Sequence, residues 1–296
     1  MRRWCVRAAV ISLWLASALS ISRSQPLPTP ALEVTQSGVS LRVFSDTLRQ
    51  GRAGLIAVTA TSAPQGTFLD QALTFFQVDG DASWYALIAA PMSQLPRSYP
   101  LEIQADGKAL SASVQVTSGG FIQQSVIIVS DMGGLFDRTV EDAELARITT
   151  AASVITPIVY WLGRGFGHPI EATLTSPFGA LRTFNGLYET IHTGWDYNAP
   201  IGRPLVASAP GRVAFAGYEA IRGNYVLIDH GYGIFSGYAH LSVVYVTQGQ
   251  LVDRGQVVGL VGSTGRSSSA HAHFEMLVNG QWIDSTDFIN SLPLPR

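Results

Sequence analysis

His271-Ala272-His273-Phe274-Glu275-Met276-Leu277-Val278 runs into Asn279-Gly280. A β-rich run that stops at a hairpin-type dipeptide reads as a strand. Successive side chains of a strand alternate faces, so His271, His273 and Glu275 point the same way. Two imidazoles side by side on a sheet repel once protonated, unless a metal or a partner organises them. Upstream, Ile191-His-Thr-Gly-Trp-Asp-Tyr-Asn-Ala-Pro200 sets His192 and Asp196 four residues apart. Thr193, Gly194 and Pro200 disfavour a helix there, so this pair also lies on a strand or loop. Neutral imidazole and carboxylate make a borderline-soft ligand set that suits zinc. Two imidazoles and one carboxylate leave a fourth position open to water, the pattern of a catalytic rather than a structural zinc. One His/Asp pair alone arises by chance; the pair together with His-x-His is a candidate site.

Several ordered pieces extend the pattern: Ser176-Pro-Phe-Gly179, His192-Thr-Gly-Trp-Asp196, Ala209-Pro-Gly-Arg-Val213, Gly237-Tyr-Ala-His-Leu241, Gly262-Ser-Thr-Gly265 and His271-Ala-His-Phe-Glu275. Together they resemble the lysostaphin/LytM-type zinc metalloendopeptidases (metallopeptidase family twenty-three), which cut the peptides of bacterial peptidoglycan. The resemblance runs from about Thr175 to about Phe288. It implies one zinc per chain on His192, Asp196 and His273, with His240 and His271 acting in catalysis. Where that family usually has Gly-Pro-His-Leu-His, this chain has Ser269-Ala-His-Ala-His273. The change alters the turn and the packing behind the site but removes no ligand.

The expected fold is all-β. An N-terminal antiparallel β-sandwich, loosely immunoglobulin-like, spans residues 34–118. A connector with one helix spans 119–165, and a C-terminal β-sheet sandwich of the LytM/duplicated hybrid motif type spans 166–296. Ahead of them, Arg2, Arg3 and Arg7 precede an apolar run from Ala8 to about Leu19, with Ala16-Ser-Ala18 as a small-x-small cleavage pattern. Residues 1–22 read as a secretory signal, with an uncleaved anchor as the alternative. Pro26, Pro28 and Pro30 make residues 23–33 a stiff linker. Cys5, the only cysteine, lies inside the signal, so the exported chain has neither disulfide nor thiol chemistry. With 14% charged residues, a net charge of −2 and Lys108 the only lysine, there is no basic field for nucleic acid. No later run is long enough to span a bilayer.

In the first domain, Leu101, Ile103 and Ala105 alternate with polar residues up to the turn Asp106-Gly107. Ala112, Val114 and Val116 then alternate onward, and Trp84 to Ile88 is a further strand. The domain carries no histidine or carboxylate cluster and reads as a spacer or binding module. Ser125 to Ser130 is a β-rich run. Thr139 to Val154 reads as a helix capped by Thr139, with Leu145, Ile148 and Ala152 on one face and Pro157 beyond its end. Tyr160, Trp161 and Phe166 read as core, with a place flanking the cleft as the alternative. In the last domain Leu205–Ala209 and Arg212–Ala216 flank Pro210-Gly211, and Tyr225–Asp229 and Ile234–His240 flank glycines around Tyr232. The near-copies Gly249-Gln-Leu-Val252 and Gly255-Gln-Val-Val258 read as two arms of a turn, and no helix is expected in this region. Loops at Phe184–Tyr188 and Gly262–Ala270 would rim a groove.

Hydrolysis of an amide needs an activated nucleophile, a base and stabilisation of an oxyanion. His240 and His271 both titrate near neutral pH and suit these roles, with the choice of base open. Arg182 and Asn185 are candidate substrate contacts, and Tyr188 a candidate oxyanion donor or rim residue. Glu275 either orients a ligand by a hydrogen bond or sits in a plain salt bridge. His168 and His230 read as structural. No Gly-x-Ser-x-Gly elbow is present. The expected protein is a secreted, monomeric enzyme of the cell envelope, periplasmic or extracellular, acting on peptidoglycan. The alternative is a non-catalytic wall-binding or hydrolase-activating module on the same fold.

Overall fold

The computed structural model describes residues 26–127 and 133–295; the signal segment lies outside them. Among the described residues the fold is nearly all strand, with two α-helices, α1 (Arg138–Ala152) and α2 (Ser285–Ser291). No described helix is long and apolar enough to cross a membrane.

The N-terminal unit is a sandwich of two five-stranded sheets. Ser98–Ala105 pairs with Lys108–Thr117 across Asp106-Gly107, whose φ values of 47° and 69° meet the left-handed requirement of a tight hairpin turn. Tyr99, Leu101, Ile103 and Ala105 are buried while the residues between them are exposed, the alternation of a strand with one face in water. The sheets are not wholly antiparallel: Thr47–Arg49 runs parallel to Gln115–Thr117.

Two strands of the other sheet, Arg52–Thr59 and Ser83–Ala90, are buried on both faces. Ile56, Val58, Ala86 and Ile88 pack inside the sandwich. Leu55, Ala57, Tyr85 and Leu87 pack outward, in one cluster with Trp161, Ile170, Ile283 and Phe288 of the C-terminal part. The Trp161 ring meets Phe76 edge-on at 5.7 Å, and Asp284 donates its backbone N–H to the Gly51 carbonyl at 2.7 Å. The sandwich is therefore docked on the C-terminal domain through a shared apolar core, which a mobile spacer would not have. Trp161 is core, and Phe166 is half-buried against the same cluster.

The C-terminal domain is built on an eight-stranded antiparallel sheet. Its middle runs Gly194–Tyr197, Ala272–Val278, Ile234–Leu241, Gly223–Gly231 and Gly211–Glu219 in spatial order. A second, three-stranded sheet orders Pro204–Val206, Val257–Leu260 and Val243–Val244, and its apolar face closes the core. This topology corrects two expectations. Pro204–Val206 pairs with Val257–Leu260 rather than across Pro210-Gly211 with its sequence neighbour. The near-copies fall in different sheets, since Leu251–Val252 pairs with Gly211–Arg212.

Helix α1 starts one residue before the expected cap, because Asp137 accepts the Thr139 N–H and takes the N-cap role. Its buried face carries Ile148 and Ala152, and also Glu141 and Glu144. Helix α2 was not expected in a strand-rich stretch; Asp284 caps it by accepting from Thr286 and Asp287, and Phe288 buries against Phe166.

His230 is fully buried away from the other histidines of the C-terminal motifs. One ring nitrogen faces the Pro210 carbonyl at 2.8 Å and the other the Ser236 hydroxyl at 2.7 Å. Burial pushes its pKa down to about 4. The folded state thus favours the neutral ring, whereas the unfolded chain takes up a proton near 6.5. This stabilisation is complete above pH 6.5 and is lost as pH falls towards 4, about 3 kcal/mol in all. Urea unfolding at pH 7 and pH 4.5 is expected to show a smaller pH dependence for His230→Gln than for the native chain. Equal slopes for both would refute this account.

Candidate metal centre

The registers of three neighbouring strands assemble the site. Asp196 lies opposite His273, and Ala239 lies opposite His273 on its other side. Paired residues of an antiparallel sheet share a face, so Asp196 and His273 project together, and Glu275 follows two residues on. His192, four residues before Asp196 on extended chain, reaches the same face. Strict alternation would send His240 to the opposite face from Ala239. The ladder slips between Asn224/Leu241 and Val226/Tyr238, and His240 adopts a left-handed φ of 59°. This bulge turns its ring onto the His273 side, with centroids 5.8 Å apart.

The hydrogen bonds assign the tautomers, because a carbonyl or a carboxylate can only accept. His192 Nδ1 lies 2.8 Å from the Pro177 carbonyl, so it carries the proton and Nε2 the lone pair. His273 faces a carboxylate at each nitrogen, Glu275 Oε2 3.2 Å from Nε2 and Asp196 Oδ1 3.0 Å from Nδ1. Burial opposes its charge, but these partners raise its pKa, and a metal would take Nδ1 while Glu275 holds the Nε2 proton. His192 Nε2, His273 Nδ1 and Asp196 Oδ1 are then mutually 3.0, 3.0 and 3.1 Å apart. Three such atoms facing one another at this distance need protons or a metal cation between them. Tetrahedral zinc, with bonds near 2.0–2.1 Å to nitrogen, sets its ligand atoms about 3.3 Å apart. The geometry and the donor set both fit such a metal, and these three residues group as one possible metal site.

The supporting shell is equally ordered. The second oxygen of Asp196 accepts from Arg182, which also donates to Ser176 Oγ at 2.7 Å. Arg182 is thus a partner of Asp196 that also lines the groove. Glu275 Oε1 accepts from Arg222 Nε at 2.8 Å and from Tyr225 at 2.7 Å, and Arg222 Nη2 reaches Oε2 at 2.9 Å. Arg222 Nη1 donates to Glu144 of α1 at 2.9 Å. Burial opposes the Glu275 charge, yet Arg222 and His273 hold its carboxyl well below the usual range. The same two side chains exclude one at Gly237, where a Cβ would lie 2.2 Å from the Tyr225 hydroxyl and 2.8 Å from Glu275 Cγ.

His240 Nδ1 donates to the Thr264 carbonyl at 2.8 Å, and His271 Nδ1 to the Ser269 carbonyl at 2.8 Å. In its neutral form, either ring therefore keeps its lone pair on Nε2. Their centroids are 4.9 Å apart, and both line an open groove of about 470 Å³. Burial, reinforced by His271 and His273, holds His240 well below the ordinary histidine range, so its ring is neutral. The Gly262–Gly265 piece acquires a physical role here, since it supplies the Thr264 carbonyl.

Other candidates sit elsewhere. Tyr188 donates its hydroxyl to Glu141, which also accepts from Thr190 and from Arg266 at 2.7 Å. Burial opposes the Glu141 charge, but Arg266 and these hydroxyls hold the carboxyl at about 2. Tyr188 is thus a strut between the hairpin and α1. Asn185 occupies the hairpin turn, where its N–H bonds the Val126 carbonyl at 2.9 Å. His168 bridges Tyr197 and Asn290, both at 3.1 Å, and takes no part in the cluster. Sequence reasoning missed Glu141, Glu144, Arg222 and Arg266. Their only signal is two acidic residues on the apolar stripe of α1.

Residues 190–285 match the description Peptidase family M23. A stretch of 132 residues is 41% identical to the DD-carboxypeptidase/endopeptidase Mpg of Neisseria meningitidis serogroup B, covering 43% of this chain and 29% of that protein. Another of 94 residues is 42% identical to the peptidoglycan DD-endopeptidase ShyA of Vibrio cholerae, covering 32% of this chain and 22% of that one. The chain thus spans less than a third of the length of these relatives. The crystal structure of a putative peptidase M23 from Pseudomonas aeruginosa superposes with a TM-score of 0.62 at 27% identity, covering 81% of this chain and 94% of that one. The motifs, the all-β fold and the His/Asp/His cluster agree with this match, and residues 190–285 form a peptidase M23 domain.

Proposed function

We propose that this chain is a zinc-dependent endopeptidase of the cell envelope that hydrolyses peptide bonds of bacterial peptidoglycan. One observation carries the reading: three candidate ligand atoms converge within about 3 Å beside a groove that two further histidines line. His192, Asp196 and His273 would hold the metal. Zinc, when bound, supplies Lewis acidity towards the amide carbonyl and the attacking water.

The chain's own residues do the rest. His240, buried and neutral, enters in the form a base requires, and its Nδ1–H is fixed on Thr264, so only Nε2 is free to take the proton of water. His271 is more open, with 17% of its side chain exposed, and in its protonated form donates from Nε2 to the oxyanion and then to the leaving amine. Glu275 and the Pro177 carbonyl fix the ligand tautomers. Export fits the Arg-flanked apolar run of residues 1–22, and the mature chain is proposed to act as a monomer.

The test is purified peptidoglycan incubated with the exported form, from about Ile21 onward, with and without a chelator. New peptide termini, read by mass spectrometry, are expected only without the chelator. Their absence with zinc-loaded protein on several wall types would reject the reading in favour of a binding module. His192→Ala is expected to drop metal content from about one zinc per chain to near zero by elemental analysis. Retention of stoichiometric zinc would exclude His192 as a ligand.

A further inference from the structure

The connector supplies a strand that lies outside the matched family region. Gln123–Val126 pairs in parallel with Leu181–Phe184 and with no other described strand, so it is an edge. Leu181 N–H bonds the Ile122 carbonyl at 2.8 Å, and Asn185 N–H bonds the Val126 carbonyl at 2.9 Å. In a parallel ladder, alternate residues face the same neighbour. Ile122, Gln124 and Val126 therefore face inward, and the N–H and C=O of Ser125 point away from the sheet.

That outer edge meets the groove. Gln124, Ser125 and Val126 all line it, together with His240, His271 and the 266–270 loop. Consecutive residues of a strand send their side chains to opposite faces, so three in a row share one cavity only where the cavity runs along the strand's edge. Gln124 is tied inward, accepting from Ser176 Oγ at 2.7 Å and Arg182 Nε at 3.4 Å. The strand is also anchored from behind. Phe121 packs on Phe178 at 6.2 Å and occupies the space a Cβ of Gly179 would need, and Gly119 bonds Arg49 and Gln50 of the N-terminal sandwich. A rigid, unpaired strand edge beside two catalytic histidines is complementary to an extended peptide main chain.

We propose that the outer edge of Gln123–Val126 is a substrate subsite, in which the N–H and C=O of Ser125 pair with one arm of the peptide whose amide is cut. This rests on the peptidase reading above. It gives the N-terminal sandwich a task, holding the substrate-pairing strand in register with the metal site.

The probe is a purified cross-linked muropeptide, added to zinc-loaded His240→Ala protein so that it binds without turnover. Amide hydrogen exchange at Ser125 is expected to slow at least about tenfold on binding, while Gln124 and Val126, already paired, change little. In the otherwise native enzyme, Ser125→Pro removes only the outward N–H at a position where an edge strand tolerates proline. It is expected to raise KM about tenfold with kcat, zinc content and Tm near native. Muropeptide that binds or is cleaved while Ser125 exchange stays unchanged overturns the subsite and leaves the peptidase reading standing. Muropeptide that is neither bound nor cleaved overturns both.

Discussion

Alanine in place of His240 is expected to leave zinc bound and to lower the rate of peptidoglycan hydrolysis by roughly 100-fold or more. His240 contributes no atom to the His192/Asp196/His273 cluster, so metal content should match the native protein. What is lost is the Nε2 that the Thr264 carbonyl leaves unprotonated on the groove side. Alanine tolerates the φ of 59° no worse than another non-glycine residue, and His240→Asn, with a side chain better suited to that region, serves as a second variant. The measurement is kcat and KM on a defined muropeptide, with zinc content and Tm beside them. Near-native turnover in both variants would remove His240 from the mechanism. Loss of zinc in both would make it a support of the metal site rather than a base.

Arg222→Met is expected to cost about 3–5 kcal/mol of stability, the scale for removing the cation from a buried ion network. Arg222 donates to Glu144 and Glu275, both fully buried, and the loss strands two carboxylates without their cation. Metal affinity should fall with it, by about 10- to 100-fold in chelator competition, because Glu275 orients the ring of His273. The triple variant Arg222→Met, Glu144→Gln, Glu275→Gln removes the stranded charges and should regain much of the stability but not the metal affinity. That split separates a positioning role from a purely structural one. A single variant that unfolds within about 1 kcal/mol of native would contradict the network's importance. Since Glu144 belongs to α1, a fragment cut at residue 166 would lack this partner and is expected to bind metal more weakly than the full chain.

The metal cluster was legible in the chain for a local reason. The Ala272–Val278 strand is bounded by its own composition and its Asn279-Gly280 turn, and two-residue alternation puts His271, His273 and Glu275 on one face. The Asp106-Gly107 hairpin and the strands flanking Tyr232 are of the same kind, fixed by contacts a few residues apart. The choice of His192, Asp196 and His273 as candidate ligands needed the family resemblance as well, because spacing alone offers six histidines and no order among them.

What only the tertiary structure decided is long-range. His240 joins the site through a bulge whose register depends on the Gly223–Gly231 strand, so simple alternation points it the wrong way. Arg182 and Tyr188 carry groups that suit substrate contact, and the fold commits both to internal carboxylates. Glu141 and Glu144 interrupt an apolar helix stripe and are stable there because Arg266 and Arg222, 125 and 78 residues away, come to meet them. The N-terminal sandwich reads as a separate module because its strands are locally complete; the apolar outer face that docks it has no partner until the C-terminal domain supplies Trp161 and Phe288. Local periodicity and turn chemistry specify strands and the ligands they carry. Pairing across sheets, burial of charge and the docking of one domain on another depend on residues far apart in the chain, and only the folded molecule brings these together.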